Sequence, residues 1–429
     1  MKNHQFLFIL TLCIVFFSCQ KSTPEKITDV QEYQKYLDTD NSETKKNQLS
    51  NLNFWEEKYN SQPSQYPYLT KIAAANTTLF QTTGDIQYLL KAENQLKKQI
   101  SIRKTASNLR ILAKNYISQH RFQESLEVLL EAEKLGEKQN QTNKMLFDVY
   151  LEIGEYQKAE HYLDKIKQLK DFDYLIRAGK WNDVHGNLES AISFLERALQ
   201  VAKSRNDASL LIWSYSNLAD FYGHHNELEV SYSYYLKTLE LDPSNAYAKK
   251  GVAWIVYSHE KNSSEALRIL NSIQEYHQSP DYYLFQAELA EYEQREDLKK
   301  QYLALFLTSA NKESYGKMYD QHRTKLYLDE YEEIKSATAI IKEEINNRPT
   351  PETYDLLAWS YFKSGDIHEA LRIANQHVVG KSHEPEVIFH LAEIYKANGM
   401  TEEAQKLKQE LLQSAFEIGP VALSQVQKI

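Results

Sequence analysis

The sequence predicts an all-α fold, a solenoid of about nine to ten stacked helix–turn–helix units. Three observations carry that prediction. A small or apolar anchor residue recurs about every 35 positions, at Leu89, Ser125, Ala159, Ala191, Ser231, Ala266, Gln301, Ile334, Ala370 and Ala404. A period of roughly 34 residues is what stacked helical hairpins require, because one hairpin cannot bury its apolar face alone. Gly84, Gly154, Gly186, Gly365 and Gly399 all fall a few residues before an anchor, where a left-handed turn between paired helices is needed. Pro243, Pro280, Pro349, Pro385 and Pro420 follow their anchors by 12, 14, 15, 15 and 16 residues and close the units.

Taken in order, the chain opens with Lys2 and the apolar run 6–17, too short for a membrane span of ~20 residues but suited to a signal-peptide core. The tetrapeptide Phe16-Phe17-Ser18-Cys19 resembles the bacterial lipobox, with Phe16 where Leu is usual. The resemblance implies a signal peptide over 1–18, cleavage before Cys19 and lipidation of Cys19. Gln20 is not the Asp associated with inner-membrane retention, so the expected location is the bacterial cell envelope, lipid-anchored at the outer membrane and facing the periplasm. Residues 19–50 are polar and read as a tether, with a short helix over 29–37. An N-terminal helical segment is expected within 51–69, the solenoid over 70–420 and a tail over 421–429 that caps the last apolar face.

One unit shows how the pattern works. Leu218, Ala219 and Tyr222 share a face of a first helix, and Leu228, Ser231, Tyr235 and Thr238 repeat at steps of 3, 4 and 3 in a second. Small Ala219 and Ser231 let two backbones approach while the tyrosines fill the flanks. The same order recurs at Leu112-Ala113, Tyr116, Phe122 and Ser125, at Leu357-Ala358, Tyr361, Gly365 and Ala370, and at Leu391-Ala392, Tyr395, Gly399 and Ala404. These residues resemble the tetratricopeptide repeat (TPR) family, over roughly four-fifths of the chain. The resemblance implies a right-handed α-solenoid superhelix whose first helices line a concave surface that binds proteins or peptides. Leu89, Gln301 and Ile334 are larger or more polar than that family prefers, so their helices are expected to sit slightly apart. The 40-residue step from Ala191 to Ser231 calls for longer helices or a longer loop near 203–207.

Composition narrows the chemistry. Net charge is −9 with both signs mixed, which argues against a nucleic-acid track. Both cysteines, Cys13 and Cys19, lie in the first 20 residues, so the mature fold must rest on packing without a disulfide or zinc framework. The 13 histidines show no ligand spacing: His224-His225 are about 100° apart on a helix, and His377, His383 and His390 lack cysteine or paired carboxylates. Phosphate-cradling glycine motifs and Gly-x-Ser-x-Gly are absent. No catalytic residue, metal or small-molecule cofactor is expected, and the chain reads as a non-enzyme.

Recognition is expected from inward-facing first-helix positions. Trp213, Asp220, His224, Trp359, Phe362 and Lys363 are the partner-binding candidates. Trp359 departs from the packing face that Leu357, Ala358 and Tyr361 define, and an exposed Trp one turn from Lys363 would anchor a partner chain. Trp254 occupies the small-residue place of its unit and reads as structural. The function expected is a membrane-anchored binding scaffold. A nutrient- or glycan-capture lipoprotein beside an outer-membrane transporter, and a regulatory subunit of an envelope enzyme, stay open as alternatives.

Overall fold

A computed structural model describes residues 26–429. The signal peptide expected over 1–18, and Cys19 with its expected lipid, lie outside the described residues. Helices α1 (Val30–Leu37) and α2 (Ser42–Ser61) come first. Ten antiparallel hairpins follow. They pair α3 (Pro67–Thr83) with α4 (Ile86–Ile102), α5 (Ala106–Ser118) with α6 (Phe122–Leu135), and α7 (Gln139–Glu152) with α8 (Tyr156–Lys165). Then come α9 (Phe172–Val184) with α10 (Leu188–Arg205), α11 (Ala208–His224) with α12 (Leu228–Leu241), and α13 (Ala246–Ser258) with α14 (Ser263–Gln274). The last four are α15 (Asp281–Tyr292) with α16 (Glu296–Ala310), α17 (Asp320–Asp329) with α18 (Ile334–Asn347), α19 (Pro351–Lys363) with α20 (Ile367–His377), and α21 (Pro385–Ala397) with α22 (Thr401–Gln413). Helix α23 (Ala415–Val426) ends the chain. The fold class is the one predicted: an all-α solenoid of TPR-type hairpins.

The helices start and stop for local reasons. Asp85, Thr105, Asp171, Asp207, Asn245 and Thr350 cap first turns by accepting main-chain N–H groups two or three residues on. Each hairpin turns through one residue of positive φ. Five are the predicted glycines; the other five are His120, Asn226, Lys261, Gln294 and Glu332. In seven of the ten the turn is closed by a main-chain bond spanning five residues, as from Glu227 N–H to the Tyr222 carbonyl (2.8 Å) and from Asp366 N–H to the Tyr361 carbonyl (3.0 Å).

The anchor falls on the fourth residue of every second helix. Eight of the predicted anchors sit there, each at most 1% exposed. Two need correction. In α16 the position is Lys299, not the exposed Gln301, and in α18 it is the buried Ala337, not Ile334. Lys299 disguises a packing position: its stem is buried while its ammonium pairs with Glu291 at 2.8 Å and Glu330 at 2.7 Å. The long step before Ser231 is taken up by helix length, since α10 has 18 residues and α11 has 17.

Within the expected tether, the described residues 26–50 form ordered structure. Helix α1 lies across α12 and α14, where Tyr33, Tyr36 and Leu37 are buried. The Ile27 and Thr28 N–H groups donate to Glu260 at 3.0 and 2.6 Å, and the Tyr33 hydroxyl donates to Glu265 at 2.7 Å. Helix α2 runs through the expected 50/51 boundary as one element and packs Leu49, Leu52, Trp55 and Tyr59 against α3. Composition misled here because tyrosine buries as an aromatic body with a polar tip. A terminal solenoid helix also needs only one narrow apolar stripe beneath a polar outer face.

Distant units meet. The Gln278 N–H donates to the Thr83 carbonyl at 2.8 Å, Asn347 donates to the His120 carbonyl at 3.0 Å, and the Arg348 guanidinium reaches Glu152 at 3.3 Å. Turns of the first three hairpins therefore touch loops that follow the sixth and eighth. At Gly84 a Cβ would stand 1.9 Å from the Gln278 carbonyl oxygen, so glycine is needed there for closeness as well as for its φ of 71°.

Candidate functional site on the inner wall

The solenoid has two layers. Apart from α22, its neighbour in the chain, helix α23 packs on α11, α13, α15 and α21, all first helices, whereas α1 packs on α12 and α14, both second helices. First helices form the inner wall and second helices the outer one. The hairpins end at Gln413 rather than at 420 as the sequence suggested, and the chain then turns back into the interior. Val426 and Ile429 bury against Ile388, Ala392 and Tyr395 of α21.

The segment 414–420 crosses the inner wall as a strap. The Phe416 carbonyl accepts two hydrogen bonds from α13, from Trp254 Nε1 at 3.2 Å and from Ser258 Oγ at 2.5 Å. Trp254 and Ser258 are one helical turn apart on one face, which is what lets both reach one oxygen. The Trp254 ring is fixed from behind by Phe285, 5.3 Å away. The Phe416 ring lies over Gly223, where a Cβ would stand 3.0 Å from it. At Gly419 the chain takes φ 77° and ψ 169°, a conformation open essentially to glycine, and a Cβ would stand 2.7 Å from Glu288 Oε1. A cavity of about 190 Å³ surrounds this crossing.

Asp220 and Glu417 line the cavity together with His224 and Lys250, and further carboxylates stand in the same interior. Asp220 accepts hydrogen bonds from the Tyr235 and Tyr247 hydroxyls, yet burial still pushes its carboxyl up. Burial drives Glu288 up to about 7, against the Tyr257 hydroxyl that donates to it at 3.1 Å. Glu384 is pushed up to about 7 by burial, then by the like charges of Glu417, Glu352 and Asp183. Asp183 and Glu417 are raised as well, by burial first. His224 Nε2 stands 3.9 Å from Glu417, and Lys250 lines the same cavity.

Of the six predicted partner-binding residues, Asp220 and His224 line this cavity. Trp213 does not; it packs edge-on against Phe172 at 5.7 Å, between the fourth and fifth hairpins. The expected cluster of Trp359, Phe362 and Lys363 is a packing joint, which corrects its reading as an exposed anchor. Trp359 is 5% exposed, lies between Phe362 at 4.7 Å and His390 at 4.1 Å, and donates to Asp329 at 2.9 Å. Lys363 also binds Asp329, at 3.0 Å. His390 in turn bonds Asp355 at 2.6 Å, both side chains 3% exposed. Trp254, read from sequence as structural, is the aromatic that the site uses. Its spacing of four from Ser258 was the available signal, but their common partner lies 162 residues from Trp254.

No family model and no curated protein matches the chain. Among solved structures it is similar to a tetratricopeptide repeat protein from Parabacteroides merdae, with 15% identity over 58% of this chain and 95% of that one, and a TM-score of 0.40. It is similar to yeast Tom70, with 12% identity over 93% and 96% of the two chains and a TM-score of 0.40. The human IFIT1 dimer with m7Gppp-AAAA gives 17% identity over 77% and 82%, with a TM-score of 0.41. Likenesses of this size carry nothing about function. The ten hairpins and their anchors are what make this chain a TPR-type solenoid. Among the described residues no helix is long and apolar enough to cross a membrane.

Proposed function

We propose that this protein is a lipid-anchored scaffold of the bacterial cell envelope that holds a polypeptide partner on its inner wall. The observation that carries the reading is the strap: two side chains of α13 clamp a main-chain carbonyl, the one group every peptide offers. An inner wall that accepts its own chain in this way suits another chain of similar shape. The carboxylates of Asp183, Asp220, Glu288 and Glu384 disfavour nucleic-acid phosphate and favour a protein partner.

Anchoring would come through Cys19, at the outer membrane and facing the periplasm. Eight residue steps lead from Cys19 to Ile27, whose N–H is held on Glu260. At ~3.6 Å per residue those eight span at most about 29 Å, so the docked arm would keep the outer wall of α12 and α14 near the bilayer.

The test is photo-crosslinking in cells. A crosslinking residue placed at Tyr247, on the inner wall, is expected to trap one envelope polypeptide, while one at Glu240, on the outer helix α12, traps none. Cys19→Ala is expected to move the protein out of the membrane fraction. Trapping from Glu240 alone, or membrane retention of Cys19→Ala, would refute the corresponding half of the reading.

A further inference from the structure

We propose that copies of this chain associate head to tail, the acidic turns of hairpins 7–9 of one copy seating on the basic loops that follow hairpins 2–4 of the next. The inference goes beyond the scaffold reading and does not depend on the inner wall.

The molecule already makes a contact of this kind with itself. With the hairpins numbered 1 to 10 in chain order, the loop after each hairpin lies at the edge opposite its turn. Turn 1 meets the loop after hairpin 6, through the Gln278 N–H and the Thr83 carbonyl at 2.8 Å. Turn 3 meets the loop after hairpin 8, where a Cβ on Gly154 would stand 3.1 Å from the Pro349 carbonyl oxygen. Turn 4 meets the loop after hairpin 9, where a Cβ on Gly186 would stand 2.8 Å from the His383 ring. These turns each sit on the loop five hairpins further along. The stacking therefore uses turns of the first half and loops of the second. Among the described residues the opposite edges have no such counterpart. Residues 134–140, 167–170 and 203–207 of the free loops are exposed, as are 293–297, 329–333 and 364–366 of the free turns.

Charge makes the two free edges complementary. Carrying the same five-hairpin shift past hairpin 10 places turns 7, 8 and 9 on the loops after hairpins 2, 3 and 4 of a following copy. Lys165, Lys167 and Lys170 surround the loop after hairpin 3, and the acid beside them, Asp171, is held by Lys144 at 3.0 Å. The loop after hairpin 2 carries Lys134 and Lys138, and the loop after hairpin 4 carries Lys203 and Arg205. Facing them in this register, turn 7 presents Glu296 and Asp297, turn 8 Glu332 and Glu333, and turn 9 Asp366. Turn 8 also holds Asp329 and Glu330, but these are paired with Lys363 at 3.0 Å and Lys299 at 2.7 Å. Glu332 and Glu333 are left for a second chain. Apolar surface coincides with the charge: Leu169 is 55% exposed on the loop after hairpin 3, and Tyr331 is 39% exposed in turn 8. In a chain of net charge −9, a basic edge opposite an acidic one orients the encounter and disfavours like ends meeting. A contact between unlike surfaces generates rows of copies rather than a two-fold dimer.

The test is cysteine crosslinking of the purified full chain with a short bis-maleimide, every variant carrying Cys13→Ala and Cys19→Ala so that the introduced thiols are the only ones. Ser204, in the loop after hairpin 4, and Ser364, in turn 9, are exposed and face each other in the proposed register. Ser204→Cys with Ser364→Cys in one chain is expected to give a ladder of dimer, trimer and higher species. Either cysteine alone is expected to give monomer, and the two single variants mixed to give dimer. Lys165→Glu, Lys167→Glu and Lys170→Glu together are expected to reduce the ladder about tenfold with helical circular dichroism unchanged, and Glu332→Lys with Glu333→Lys in that same chain to restore it. A dimer from one cysteine alone at the yield of the mixed pair would show a two-fold interface and overturn the head-to-tail assignment. Monomer from the double-cysteine chain, a ladder undiminished by the lysine reversal, or one that the charge swap fails to restore would overturn the mating of these edges.

Discussion

At the scale of single residues, the hairpin turns separate two uses of positive φ. Lys261 and Gln294 hold φ near 59° and 57° with side chains that dislike it. Lys261→Gly and Gln294→Gly are therefore expected to stabilise the protein by up to ~1 kcal/mol each, read from urea unfolding at constant m-value. Gly84→Ala should do the reverse, by on the order of 3 kcal/mol, because a methyl would collide with the Gln278 carbonyl besides straining the turn. Equal effects at Gly84 and at Gly365, whose Cβ would meet open space, would show that the contact between distant units does not form. The turn glycines were legible in the sequence as punctuation. Their second duty was not, because the atoms they approach lie on another turn of the superhelix.

At the scale of elements, α1 shows how a polar segment becomes structure. Lys249 is fully buried beneath it and donates to the Thr39 carbonyl at 2.9 Å. Burial lowers the Lys249 ammonium to about 8, although Asp242, Asp40, Asp38 and Glu275 pull it the other way. Between about 8 and the ordinary lysine range the unfolded chain binds more protons than the folded one, so stability rises with pH in that window. A gain of roughly 2 kcal/mol between pH 8 and pH 10 is expected in the parent and none from this source in Lys249→Met. Urea titrations at the two pH values measure it; parallel curves for parent and variant would rule the effect out. The helix over 29–37 was visible in sequence, but its role as a docked arm depends on Glu260 and Glu265, more than 200 residues away.

For the whole molecule, winding brings like charges from separate hairpins into one interior. Glu288 and Glu384 both titrate near 7 in the folded protein, above the range of an unfolded glutamate. The sign follows: their favourable share is complete below about 4.5 and is lost as pH rises through about 7. Glu288→Gln and Glu384→Gln are thus expected to melt above the parent by a margin that widens between pH 5 and pH 7.5. Glu384 touches solvent, which screens it, so the wider margin belongs to Glu288. A margin that is constant across that range would mean the interior does not oppose their ionisation. The same winding moves Trp359 from expected surface to core, since Phe362 and His390 close over it from its own helix and the next unit.

The sequence by itself determined the hairpin, its period and its punctuation, because these depend on contacts within about 40 residues that repeat ten times. Residues such as Ala219 and Ser231 announce a close helix pair wherever they occur. The tertiary structure alone decided which residues face the interior, that the chain's own end lies there, and that Trp254 rather than Trp359 serves the site. Those outcomes turn on small rotations between successive units, which add up along the solenoid. No local pattern records their sum.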